Sequence, residues 1–168
     1  MDGLQPPFNW ALYAPENLVI FTNYCKSMAE YNSVMNVRLY LICSSLSADE
    51  LMSDCGLFFG SIHRTLDHIL YGDMSWLLRF EGKEESVPEL DKQLYESFDE
   101  LKEARKIWDK KILDWSSDVT EKWLSEDFSY TSKVDGKIRT RNAWLLVAHM
   151  FNHETHHREA KSGRPSRT

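Results

Sequence analysis

The chain has 168 residues, 42% of them hydrophobic and 12% aromatic, which excludes wholesale disorder and predicts one compact domain over 1–168. Its formal charge of −6 leaves no basic face beyond the short tail Lys161 to Thr168, which argues against a nucleic-acid partner. No apolar run approaches the ~20 residues that span a bilayer. The start, Met-Asp-Gly-Leu-Gln-Pro-Pro, lacks the basic and apolar regions of a signal peptide, and Cys25, Cys43 and Cys55 are odd in number without C-x-x-C or zinc-knuckle spacing. Reduced thiols, a cytoplasmic location and no membrane partner are therefore expected.

An aromatic, proline-punctuated arm occupies 1–15. The apolar stretch Glu16 to Leu46 predicts a first long helix, although Asn23, Asn32 and Asn36 weaken its propensity. Ser47-Ala-Asp-Glu50 has capping-box spacing and predicts a short helix, after which Gly56 and Gly60 allow a bend. Ser61 to Phe80 predicts a second long helix with Ile62, Leu66, Ile69, Trp76 and Leu77 as core candidates, stopping at Glu81-Gly82. The polar segment through Pro88 then crosses over to a third.

That third helix carries the clearest period in the chain: Leu94, Phe98, Leu101, Arg105, Trp108, Ile112 and Trp115 alternate four and three residues apart. The stripe reads as core packing, with Arg105 snorkelling or pairing with an acid. Between Phe128 and Thr140, short β-type runs flank Asp135-Gly136, a hairpin turn signal, and a fourth helix follows from about Arg141 to Arg158. Gly163 and Pro165 are stop signals, so 161–168 is expected to be a flexible tail. The predicted fold is all-α: a four-helix bundle with one crossover connection and a small β-hairpin before the last helix.

The densest chemistry lies in the fourth helix, where His149, His153, His156 and His157 are four of the chain's six histidines. Residues four apart stack one turn above the other, so His149, His153 and His157 form a row of imidazoles. Leu145 lies one turn earlier in the same row, and Leu146 and Met150 flank it, so the row is expected to face the interior. Buried imidazoles need partners for their ring nitrogens, and several together point to a shared metal in preference to a closed hydrogen-bonded network. A catalytic site takes a further ligand from another element, here expected from Thr65-Leu66-Asp67-His68-Ile69-Leu70. His63 lies about 140° around its helix from His68, too far to reach the same ion, and is expected at the surface or behind the ligands.

Ser61-Ile-His-Arg-Thr-Leu-Asp-His68-Ile-Leu-Tyr-Gly-Asp73-Met-Ser-Trp76-Leu-Leu-Arg79-Phe resembles the second-helix signature of the DinB family, within the DinB/YfiT-like metalloprotein superfamily. His149-Met-Phe-Asn-His153-Glu-Thr-His156-His157-Arg158 resembles its fourth-helix signature. The resemblance implies a bundle that binds one divalent transition metal, zinc or nickel foremost, through His68, His153 and His157. Helix geometry alone leaves a His149–His153 register open. Asp73 stands where it would orient a ligand imidazole or act as a base, or else be an exposed acid near the helix end; Trp76 is expected in the core before a substrate platform. Relatives use low-molecular-weight thiols such as bacillithiol or mycothiol. The implied function is a metal-dependent and thiol-dependent transferase or isomerase, or a hydrolase, acting on a small molecule. The alternatives are a noncatalytic metal-binding or stress-response protein with a structural three-histidine site, and a bundle whose histidines only bond to one another. Members of the family continue His-His-Arg with Gly-Gln and more helix, whereas this chain reads Glu159-Ala160, so a wall of the pocket or the contact of an expected homodimer is in question.

Overall fold

Local capping decides where most helices begin in the computed structural model, which describes residues 19–90 and 92–158. The long helix α1 (Val19–Cys43) ends where the Ser44 and Ser45 hydroxyls turn back to the carbonyls of Tyr40 and Ile42, three residues short of the expected Leu46. Ser47 and Glu50 form the expected capping box of α2 (Ala48–Met52), and Ser61 caps α3 (Ile62–Phe80) by accepting from the Arg64 amide. α3 stops as expected, with Gly82 at φ 70. After a 3-10 turn at Glu84–Ser86 come α4 (Phe98–Asp118), α5 (Glu121–Ser125), the strands β1 (Asp127–Thr131) and β2 (Ile138–Asn142), and α6 (Ala143–Arg158). The arm 1–15, the start of the first helix at Glu16 and the tail 161–168 lie outside the described residues.

Two further boundaries differ from expectation for a visible reason. Leu94 has the right period for α4 but lies before it, because the buried Asp67 carboxylate accepts the amides of Leu94 at 2.9 Å and Tyr95 at 3.1 Å. Ser97 then caps the helix with Glu100. Arg141 and Asn142 belong to the hairpin, paired with Phe128 and Asp127, and Asn142 accepts from the Trp144 amide to start α6. At the hairpin turn, Gly136 takes φ 68, as Asp-Gly predicts.

The four long helices form a ring in the order α1, α4, α3, α6, each packed along two neighbours. Cross-contacts give their directions. Tyr40 stacks on Phe98 while Asn36 reaches Asp109, so α1 runs antiparallel to α4. Asp73 meets Arg105 and Phe80 meets Trp115, so α3 and α4 are parallel. Parallel neighbours cannot be joined by a tight turn, and the segment between them is the expected crossover. α6 runs antiparallel to α3, with His68 facing His153 and Trp76 facing His149. The core runs through Leu70, Leu77, Leu101, Leu124, Met150 and Phe151, all under 2% exposed. No helix among the described residues is long and apolar enough to cross a membrane.

Candidate metal centre

His68 from α3 and His153 and His157 from α6 each offer one ring nitrogen to a group whose atoms all lie within 4.8 Å of one another. His68 Nε2 and His153 Nε2 are 3.2 Å apart. His149 is not in the group: it is exposed and packs edge-on to Trp76 at 5.5 Å. The row also fails to face inward along its whole length, since Leu145 is 57% exposed. Four-residue steps overshoot a helical turn by about 40°, so the row winds from solvent at Leu145 and His149 into the α3 contact at His153 and His157.

A glycine makes the close approach possible. A Cβ at Gly72 would lie 2.6 Å from His153 Cε1 and 2.8 Å from Nδ1, so only a glycine lets the imidazole rest on α3. From the other side, Phe59 stacks on His68 with ring centres 3.9 Å apart and lies 5.5 Å from His157. The tight loop that carries Phe59 is closed by Cys55 N–H to Gly60 O at 2.9 Å and uses a positive φ at Gly60.

The electrostatics favour neutral rings. Burial first, and then the neighbouring histidines His157, His68, His149 and His156, depress the His153 pKa to about 3. Burial, followed by His156, also lowers that of His157. A neutral imidazole keeps the lone pair that a metal requires. His153 Nδ1 is buried without a hydrogen-bond partner among the described residues. Three converging imidazole nitrogens, with protonation of the His153 and His157 rings disfavoured, fit a divalent transition ion.

Asp73 is not an exposed acid near the helix end. It is fully buried in the middle of α3, its carboxylate ion-paired with Arg105, which also reaches Asp109 at 2.7 Å. The Arg105 guanidinium thus pairs with acids rather than snorkelling. His63 is not at the surface either: it is fully buried and outside the histidine group. Trp76 is half-buried, between Phe80, Tyr130 and His149, at the edge of the core.

A buried polar assembly behind the histidines is not legible from periodicity. Glu154 accepts from Asn32 Nδ2 at 2.7 Å and from Arg158 Nη1 at 3.0 Å, and Arg158 Nη2 donates to Asn32 Oδ1 at 2.5 Å. Burial, with Asp73 next to it, raises the Glu154 pKa well above the carboxylate range. His153-Glu154-x-x-His157 has the H-E-x-x-H spacing in which the glutamate of helical zinc peptidases serves as base. Here Glu154 is 0% exposed and directed at α1, away from the imidazole group. The asparagines that weaken α1 in isolation are the signal that could have revealed the assembly, because Asn32 and Asn36 sit one turn apart among apolar residues.

A cavity of about 590 Å³ lies between the C-terminal end of α1, α2 and the start of α4, and no histidine lines it. A recess of about 30 Å³ adjoins His68 itself, lined by Phe59, Arg64, Asp67, Tyr71 and Lys92. The chemistry of the histidines, rather than cavity size, marks the site. The model of the DinB family matches residues 20–160. No curated protein matches the chain.

Proposed function

This chain belongs to the DinB family, and from that premise we propose that it is a metal-dependent enzyme that activates a small thiol for transfer or isomerisation of a small molecule. His68, His153 and His157 are the proposed ligands. The observation that carries the reading is the convergence of three imidazoles within 4.8 Å, with no fourth histidine, cysteine or acid joining the group among the described residues. Three protein ligands leave room for an exchangeable one, as catalytic sites require. When bound, a divalent ion such as zinc or nickel supplies Lewis acidity that favours thiolate over thiol at neutral pH.

The chain's own residues do the rest. Gly72 and Phe59 hold His153 and His68 in place, and burial keeps His153 neutral and ready to ligate. The inward direction of Glu154 favours this reading over peptidase-type hydrolysis, which needs that glutamate beside the substrate. A noncatalytic site is the second reading, and the stacking of Phe59 over His68 is the observation in its favour. Cobalt substitution of protein prepared without a histidine tag tests both. A small thiol should add a sulfur-to-metal charge-transfer band that is lost in His68→Ala. A spectrum unchanged by thiols, azide and cyanide alike would favour the noncatalytic site.

A further inference from the structure

The recess beside His68 contains chemistry that the three histidines do not use. Arg64, His68 and Tyr71 lie three and four residues apart on one face of α3, with Phe59 forming one wall and Lys92 reaching in from the connection to α4. Arg64 is half-buried, and among the described residues its guanidinium makes one side-chain hydrogen bond, Nη1 to Gln93 Oε1 at 3.1 Å. Gln93 in turn donates to the Tyr95 carbonyl at 2.8 Å, so the arginine is held by a loop that Asp67 itself anchors. A guanidinium carries five N–H donors, and most of those on Arg64 remain for a ligand.

The neighbouring charges decide what that ligand is. Among the described residues Asp67 is the acid lining the recess; both its oxygens are engaged by the amides of Leu94 and Tyr95, and its charge also interacts with Arg64. Lys92 is 70% exposed and only 4.0 Å from the carboxylate of Glu89, so it contributes a solvated, partly balanced charge at the rim. Among the described residues, Arg64 is therefore the half-buried cation in the recess with hydrogen-bond donors to spare, and the guanidinium fork matches a carboxylate or phosphate.

We propose that Arg64 reads an anionic group on the ligand that occupies the histidine site, making the preferred thiol a small acidic one. His68 lines both the recess and the histidine group, so a ligand whose sulfur meets the imidazoles has Arg64 one helical turn away along α3. The inference rests on the thiol reading above and adds the class of thiol. It separates carboxylate-bearing thiols from neutral ones.

The test uses cobalt-loaded full-length protein at low ionic strength, titrated with 3-mercaptopropionate and with 2-mercaptoethanol, reading the charge-transfer band. The acidic thiol should bind at least about tenfold tighter, the factor that one charge-assisted hydrogen bond is worth. Arg64→Gln should abolish the difference, and Arg64→Lys should restore part of it. Because the readout is a ratio on one preparation, a loss of fold cannot mimic it. Equal affinities in the parent protein would overturn the assignment while leaving the thiol reading intact. A preference that survives Arg64→Gln would come from chelation by the ligand's own carboxylate and would also overturn it. If neither thiol produces a band, the thiol reading fails and this inference fails with it.

Discussion

One methyl group separates glycine from alanine, and at position 72 it would stand 2.6 Å from the His153 ring. Gly72→Ala should push that imidazole off α3 and lower metal affinity by at least about tenfold, while the better helix propensity of alanine, worth about 1 kcal/mol, limits damage to the apo fold. Chelator-competition titration alongside an apo melt measures both; unchanged affinity would mean that the ring has another resting place. The depressed pKa of His153 has a consequence for the metal-free protein. Its folded value, about 3, lies below the free value of 6.5, so the unfolded chain binds the proton first on acidification. The group's contribution to stability is present above pH 6.5 and is lost as pH falls from there toward 3. Over that range the loss is bounded by roughly 5 kcal/mol and is smaller in practice, because the ring is only half-buried. Urea unfolding of apo protein should therefore give a lower midpoint at pH 5 than at pH 7, and a flat profile would contradict the burial argument.

At the scale of elements, the last turn of α6 is tied to α1 by one side chain. Arg158 donates to Asn32, Asn36 and Glu154 at once, and His157 precedes it on the same turn. Without that link the turn frays at the place where one proposed ligand resides. Arg158→Ala should cost about 2–4 kcal/mol of stability, since it leaves the amide oxygens of Asn32 and Asn36 and one carboxyl oxygen of Glu154 without their donor. Metal affinity should fall with it. Arg158→Lys should not restore either, because an ammonium cannot span the two asparagines as a planar fork does. Denaturant midpoints and metal content of the two variants decide the matter: full rescue by lysine would reduce the contact to simple charge. Asp73 links α3 to α4 in a similar way, through Arg105. Asp73→Ala, which strands a buried guanidinium partly balanced by Asp109, should destabilise the bundle by about 3–5 kcal/mol.

Over the whole molecule, the histidine group joins two helices that are far apart in sequence, so an ion held there binds the folded chain alone. Its binding energy becomes folding energy. At a free concentration one hundred times the dissociation constant, the gain is about 2.7 kcal/mol. For a chain of this size, that corresponds to a melting temperature higher by roughly 5–10 °C. A thermal melt with and without zinc, repeated on His68→Ala, checks this. An equal shift in the variant would place the stabilising ion elsewhere.

The sequence by itself was enough for the four long helices, the capping box at Ser47, the Asp135-Gly136 turn, the crossover and the concentration of histidines in α6, because each is encoded by neighbours a few residues apart; it missed the short α5. Periodicity also supplied most of the α4 stripe, and failed at Leu94, where a carboxylate from α3 captured the backbone first. It failed again at Leu145, and left His63 open between the surface and a place behind the ligands, because amphipathic spacing reports a face without saying what covers it. Helix spacing left His149 and His157 open and the family resemblance pointed to His157, which the tertiary structure brings to His68; only that structure decided that Gly72 is the reason His153 fits, and that Asp73 and Glu154 point into an ionic core shared with α1 and α4. Those outcomes depend on the rotation and antiparallel register of helices more than eighty residues apart. That register follows from how the side chains of all four helices fill one interior, which no local pattern specifies.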